Sequence, residues 1–204
     1  MQNESPFPGR EYYEWCNFWW ENAPDTESPR VLLIGDSITN QYRARTQAIL
    51  KERGRPWLLD CTIGSRSAAD PAWFAELDYM MSAVNGYTYR LVHLNNGLHG
   101  AHLSLPAYED GLRRYIEKVR SLLPEAAVAL VTSTPYEKAS SNERVLARNE
   151  VVRRLSAEYG FLLDDLYTVA AAQPDAWRDG VHFKPETAER LAVAAADFIE
   201  RALG

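Results

Sequence analysis

The fold is decided by the stretch Val31-Leu32-Leu33-Ile34-Gly35-Asp36-Ser37-Ile38. Four apolar residues run without interruption into Gly-Asp-Ser, and a segment of helical character follows from Thr39. Such a run is typical of a strand that is buried on both faces of a parallel sheet. Gly35 allows a sharp turn at the carboxyl end of that strand, and Asp36 can cap the next helix. The pattern therefore predicts that Ser37 lies where open α/β sheets bind their ligands.

Strand-like and helix-like segments alternate along the rest of the chain. We predict strands near residues 30–35, 57–61, 90–94, 127–132 and 161–163. We predict helices near residues 38–53, 71–84, 106–123, 142–159 and 185–202. This alternation indicates βαβ units, and therefore an α/β fold with about five parallel strands and helices on both faces.

The first 29 residues are rich in aromatic side chains. These residues crowd one short segment: Tyr12, Tyr13, Trp15, Phe18, Trp19 and Trp20. We predict a helix from about Glu11 to Glu21. We interpret residues 1–29 as a helical extension that packs on a domain of residues 30–204, or that forms a homo-oligomer interface. The alternative is an aromatic wall beside the active site, on which sugar rings could stack.

Length and composition exclude several classes of protein. The 204 residues suit one domain, and the hydrophobic fraction of 46% is that of a soluble globular protein. The net charge of −6 argues against nucleic acid or an anionic membrane as the partner. No membrane-spanning run and no signal peptide are visible, so we expect a cytoplasmic protein. Two cysteines and four histidines lack the spacing of a metal site, and we expect no metal and no cofactor.

Ser37 is a candidate nucleophile, and two residues near the end of the chain are candidate partners for it. A serine hydroxyl needs a base within hydrogen-bond reach and an acceptor that orients the base. His182 can be that base, and Asp179 can bond the other imidazole nitrogen across a short turn. Taken alone, His182 could instead be a surface histidine and Asp179 a turn residue.

Acyl transfer also needs hydrogen-bond donors for the oxyanion that develops in the transition state. The backbone N–H of Ser37, the backbone N–H of Gly64 and the side-chain amide of Asn96 are candidates. The alternative for Asn96 is an ordinary turn residue in an Asn-Gly pair.

Four sequence blocks occur in order: Gly35-Asp36-Ser37-Ile38, Gly64, Asn96 and Asp179-Gly180-Val181-His182. Together they resemble the SGNH hydrolases of the GDSL esterase/lipase superfamily, and they span nearly the whole chain after residue 30. The resemblance implies a three-layer, flavodoxin-like fold. It also implies that Ser37 is the nucleophile, that Gly64 and Asn96 are oxyanion donors, and that Asp179 and His182 are the acid–base pair.

The third block departs from the pattern of the family, which is usually Gly-x-Asn-Asp. This chain has Leu94-Asn95-Asn96-Gly97, and the neighbouring Asn95 leaves an ambiguity of one residue. The form Asn-Asn-Gly-Leu-His resembles a bacterial subgroup associated with carbohydrate esters. Further candidates for contacting the substrate are Asp36, Asn95, His99 and Arg66. His99 could equally be a loop histidine that bonds backbone.

The expected function is a serine esterase that removes a small acyl group, such as acetyl, from a small molecule or a carbohydrate. Polar loops around Ser37 favour this substrate: residues 39–41, 65–67 and 95–97. One alternative is a thioesterase or lysophospholipase-like hydrolase that acts on longer acyl chains. Another is a non-catalytic carbohydrate-binding protein on the same fold.

Overall fold

The predicted strand–turn–helix unit forms the centre of the molecule. A computed structural model of the chain describes residues 15–83 and 86–204. Strand β2 (Arg30–Gly35) contains the apolar run, whose side chains are buried, and helix α1 (Ser37–Glu52) follows directly. β2 pairs with a parallel strand on each side, which explains why both of its faces are apolar.

The remaining elements continue the alternation of strands and helices. The other strands are β1 (Cys16–Trp19), β3 (Leu58–Gly64), β4 (Tyr89–Asn95), β5 (Ala127–Val131) and β6 (Leu162–Asp164). The other helices are α2 (Pro71–Ser82), α3 (Leu105–Leu122), α4 (Ala139–Tyr159), α5 (Leu166–Ala171) and α6 (Pro185–Leu203). Strand order is β1-β3-β2-β4-β5-β6, and β2 to β6 are parallel. The predicted parallel sheet is confirmed, whereas β1 and α5 were not predicted.

Two apolar cores lie between the sheet and the helices that pack on its two faces. Val31 and Leu33 point to the core that contains α1, α5 and α6, and Leu32 and Ile34 point to the core of α2, α3 and α4. This alternation follows from the two-residue period of a strand, and it confirms a three-layer architecture. Within residues 15–83 and 86–204, no helix combines the length and apolar character needed to cross a bilayer.

The helix predicted for Glu11–Glu21 is wrong where the structure describes it. Strand β1 pairs antiparallel with β3, so that Cys16 lies opposite Gly64. Phe18 packs on the α2 side of the sheet, whereas Trp19, on the other face of β1, is 46% exposed. The backbone edge of β3 supplies hydrogen-bond partners that favour a strand over a helix. Residues 1–14 lie outside the described residues, and the division into residues 1–29 and 30–204 stays a prediction.

A buried ion pair joins the strands near the amino-terminal edge of the sheet. Arg30 and Asp60 are fully buried, and their side chains lie 2.7 Å apart. The Tyr89 hydroxyl donates to Asp60 at 2.7 Å, and Arg30 also donates to the carbonyl of Glu21 at 2.9 Å. Burial nevertheless raises the pKa of the Asp60 carboxyl. The hydrogen bonds therefore offset a large desolvation cost, and removal of one partner would leave an uncompensated buried charge.

We predict that Asp60→Ala lowers the free energy of unfolding by about 3–5 kcal/mol, because it strands the Arg30 charge in the interior. The matched control is Glu189→Ala, which removes a pair with Arg45 whose side chains are 46% and 41% exposed. We expect that control to cost about 1 kcal/mol or less. Urea unfolding followed by circular dichroism measures both values. Similar small losses in the two variants would contradict this account of the buried pair.

Candidate active site

The structure brings the predicted site residues to one edge of the sheet. Ser37 follows β2, Gly64 ends β3, and Asn96 follows β4. Because these strands are parallel and adjacent, their carboxyl ends meet at the same edge. Asp179 and His182 come from the loop before α6. That loop reaches Ser37, because His182 is within hydrogen-bond distance of its hydroxyl.

The turn between β2 and α1 places Ser37 at the start of a helix. Asp36 is buried and its carboxylate accepts a hydrogen bond from the N–H of Ile38 at 2.9 Å, as a helix cap does. A side chain at position 35 would put its Cβ 2.0 Å from the Thr39 hydroxyl, so this turn requires glycine. The structure thus shows Asp36 as a capping residue, and its contact with substrate stays a prediction.

A continuous chain of hydrogen bonds links Ser37, His182 and Asp179. The distance between Ser37 Oγ and His182 Nε2 is 2.9 Å, and that between His182 Nδ1 and Asp179 Oδ2 is also 2.9 Å. When Nδ1–H donates to the carboxylate, Nε2 is left as an acceptor for the proton of the serine hydroxyl. This arrangement can deprotonate Ser37 as it attacks an electrophile.

Backbone N–H groups of the turn that contains Asp179 bind its carboxylate. The backbone N–H groups of His182 and Val181 donate to Asp179 Oδ1 at 2.8 and 3.2 Å. These bonds, with that of His182 foremost, hold the pKa of the Asp179 carboxyl well below its usual range. Gly180 adopts a φ of +85°, which few other residues would tolerate. The spacing of three residues between Asp179 and His182 is therefore explained by the structure of this turn.

Gln41 fixes the histidine loop against helix α1. Its side-chain amide donates to the carbonyl of Phe183 at 3.1 Å and accepts from the N–H of Phe183 at 3.2 Å. Phe183 directly follows His182 in the chain, so Gln41 holds the His182 loop next to the start of α1, where Ser37 lies. Sequence analysis missed this role. The available signal was the spacing of four residues between Ser37 and Gln41, which places both on one face of α1.

Gly64 lies at the end of β3, where β1 pairs with it. A Cβ at this position would lie 2.3 Å from the carbonyl oxygen of Trp15, so a residue larger than glycine does not fit beside the backbone there. The N–H of the next residue, Ser65, donates to that same carbonyl at 3.1 Å. Because hydrogen bonds alternate sides along a strand, the N–H of Gly64 points away from β1 and towards β2. Its role as an oxyanion donor stays a prediction.

Asn96 and Asn95 have different surroundings, although both are buried. The Asn96 amide has two N–H groups, and one of them donates to the carbonyl of Arg66 at 3.0 Å. The Asn95 amide donates to the carbonyl of Val131 at 3.0 Å and to the Ser133 hydroxyl at 3.3 Å. Asn95 therefore bonds to β5 and the loop after it, and this geometry favours Asn96 as the donor in the site.

The other candidate substrate contacts are less open than the sequence suggests. Arg66 is 7% exposed, and its Nε donates to Glu76 at 2.6 Å, so its guanidinium is held in the interior. Ser65 and Ser67 are buried as well. His99 is partly exposed in the loop after β4. The loops near Ser37 thus present fewer polar groups to solvent than predicted, because several of these groups bond within the protein.

Comparison with known proteins identifies the family. Residues 33–190 match the GDSL-like Lipase/Acylhydrolase family. The chain belongs to this family. It is therefore an ester-hydrolysing enzyme, and the resemblance seen in its four sequence blocks is confirmed. No curated protein matches the chain in sequence.

Solved structures of esterases share the fold of this GDSL-family enzyme. A carbohydrate acetylesterase from Sinorhizobium meliloti is 16% identical with a TM-score of 0.68, over 85% of this chain and 99% of the other. The aryl esterase of M. smegmatis is 16% identical with a TM-score of 0.69, over 86% and 100%. A GDSL lipolytic protein from Veillonella parvula is 15% identical with a TM-score of 0.66, over 85% and 100%. At these identities the likeness shows the SGNH hydrolase fold.

We predict that kcat/KM for nitrophenyl acetate rises with pH in a single step between about pH 5 and 8. The reason is that only an unprotonated imidazole can accept a proton from a serine hydroxyl, which is the part we expect a histidine base to play. The lowered pKa of Asp179 keeps that carboxylate charged across this range, so it adds no second step. Initial rates measured over the range test the prediction. A wild-type rate that does not vary with pH would exclude a histidine base.

Proposed function

We propose that this enzyme is a serine esterase in which Ser37 forms an acyl-enzyme. The observation that carries the proposal is the hydrogen-bond chain from Ser37 through His182 to Asp179, with both heavy-atom distances at 2.9 Å. Nucleophile, base and orienting carboxylate are the three parts that acyl transfer to a serine needs.

The chemical steps follow from the positions of these atoms. Ser37 Oγ attacks the ester carbonyl carbon while His182 Nε2 takes its proton, and the imidazolium then protonates the departing alcohol. The charge of Asp179 stabilises this imidazolium. Water, deprotonated by His182, attacks the acyl-enzyme in the second half of the reaction and releases the acid and free Ser37.

Three N–H donors are candidates for stabilising the negative charge that develops on the carbonyl oxygen. Ser37 is the first residue of α1, where backbone N–H groups lack helical partners and the helix dipole favours an anion. We assign the second N–H of the Asn96 amide as a second donor and the N–H of Gly64 as a third. Donors that act mainly in the transition state raise kcat.

A small acyl group is the one that we propose. A cavity of about 10 Å³ is lined by buried residues such as Ile38, Thr39 and Leu98, and neither Ser37 nor Asn96 lines it. That space holds about one water molecule. Three wider clefts of about 440–470 Å³ lie between β1 and residues 43–51 of α1, between α5 and α6, and between α3 and β5, and Ser37 lines none of the three. We therefore propose acetyl as the acyl group, since an octanoyl chain needs a longer apolar channel.

A carbohydrate is the alcohol part that we propose. Trp19 of β1 is 46% exposed, and Trp15, which directly precedes β1, is 37% exposed. The Arg43 guanidinium lies 5.4 Å from the Trp19 ring, and a cleft of about 470 Å³ lies between β1 and α1. Flat aromatic surfaces beside polar groups suit the mixed faces of a sugar ring. A carbohydrate acetylesterase among the structural neighbours adds support from the fold alone.

We predict that Ser37→Ala lowers kcat for nitrophenyl acetate by about 10³-fold or more, because it removes the nucleophile. The matched control is Ser140→Ala, at an exposed serine of α4, which should keep wild-type turnover. Thermal unfolding should show that both variants remain folded. Near wild-type turnover by folded Ser37→Ala would overturn the acyl-enzyme proposal.

We predict that kcat/KM is higher for acetyl than for octanoyl esters of the same alcohol, because Ser37 lines none of the three clefts that could hold a long chain. A series of nitrophenyl esters from acetyl to octanoyl measures this preference. An acetylated monosaccharide should also release acetate, and Ser37→Ala serves as the blank. A steady rise in kcat/KM with chain length would favour the thioesterase or lysophospholipase-like alternative instead.

A further inference from the structure

We propose that Arg148 and Tyr108 are positioning residues of the oxyanion site, because together they hold the loop that carries Asn96. The inference rests on the proposed function. Arg148 belongs to α4 and Tyr108 to α3, so both approach the loop after β4 from helices outside the sheet. Neither residue is among the candidates that the sequence suggests.

Arg148 supplies hydrogen bonds to a stretch of irregular backbone. It is 1% exposed, and its Nη1 donates to the carbonyls of Gly97 and His99 at 2.9 and 2.5 Å. Its Nη2 donates to the carbonyl of Gly100 at 2.5 Å. A planar guanidinium can direct several N–H groups to separate acceptors at once, which a lysine ammonium on its flexible stem cannot reproduce. The three carbonyls are thereby fixed relative to one rigid group.

We call Arg148, together with Tyr108, the clamp. Tyr108 connects the Arg148 guanidinium to Asn96. Its hydroxyl donates to the backbone carbonyl of Asn96 at 2.5 Å, and its ring lies 4.6 Å from the Arg148 guanidinium. The cation and the aromatic face stabilise one another in this buried setting. Position 97 completes the fit, since a Cβ there would lie 2.3 Å from the Ser133 hydroxyl. The main chain that follows the Asn96 side chain, from the carbonyl of Asn96 to that of Gly100, is therefore held in place by Tyr108 and Arg148.

The function of such a clamp follows from the demands of oxyanion stabilisation. A donor contributes only when it lies about 2.7–3.1 Å from the oxygen that acquires charge. A displacement of about 1 Å can cost a factor of about 10² in rate. Arg148 bonds the carbonyls of the loop after β4, whereas the proton-transfer chain is formed by Ser37, His182 and Asp179. Loosening the clamp should therefore weaken the Asn96 donor and leave the proton-transfer chain intact.

The first variant is Arg148→Lys, which keeps the positive charge but replaces the planar guanidinium, with its several N–H donors, by a single ammonium group. We expect kcat for nitrophenyl acetate to fall by about 10- to 100-fold while KM changes little, with the same pH profile as wild type. The matched control is Arg30→Lys. Arg30 is also fully buried and also donates to backbone carbonyls, but it lies at the start of β2, away from Ser37. We expect Arg30→Lys to lower stability and to keep kcat near the wild-type value.

A double-mutant cycle separates positioning from general stability. If Arg148 acts through Asn96, then Arg148→Lys should cost less than about 3-fold in kcat when Asn96→Ala is already present. Equal losses in both backgrounds would overturn the inference, and so would an equal loss of kcat in Arg30→Lys. If Arg148→Lys fails to fold, Tyr108→Phe tests the same clamp by removing one hydroxyl, and unchanged kcat in that variant would overturn it.

The outcome also distinguishes this inference from the proposed function. Full activity in Ser37→Ala would mean that the proposed function fails. Loss of activity in Ser37→Ala together with wild-type kcat in Arg148→Lys and Tyr108→Phe would mean that only the positioning role fails.

Discussion

The hydrogen bond of 2.9 Å between Ser37 and His182 is the contact on which the site depends, and it joins opposite ends of the chain. It exists because β2 delivers Ser37 to the sheet edge and because the loop before α6 returns to that edge. Gln41 holds the two segments together through the backbone of Phe183. The packing of α1 beside α6 in the same apolar core therefore supports the contact between Ser37 and His182.

Much of the fold could be predicted because its strands and helices are strongly patterned. The buried run of β2 is apolar throughout, and α6 begins at Pro185 as predicted. Strand β1 could not be predicted, because aromatic residues lie on both of its faces. Its sequence therefore lacks the alternation of apolar and polar residues that indicates a strand. Its structure depends on the edge of β3, which lies more than forty residues away in the sequence. Helix α5 is too short, at six residues, to show a helical period.

The chemical groups of the site were easier to predict than the contacts that hold them. Ser37, Asp179 and His182 could be found because each lies in a short local motif, and the structure places them in hydrogen-bond contact. The burial of Arg66 against Glu76 depends on how α2 packs, which no local pattern reveals. The same holds for Arg148, whose partners lie about fifty residues earlier in the chain. Tertiary contacts of this kind leave no period or spacing in a single sequence.

The most direct test of the central claim is reaction with a serine-directed organophosphonate, followed by peptide mass spectrometry. If His182 and Asp179 activate Ser37, one adduct should form on the wild-type protein, and it should lie on Ser37. Labelling should be lost in Ser37→Ala and much slower in His182→Ala. An adduct on another residue, or equally fast labelling of Ser37 without His182, would contradict the account.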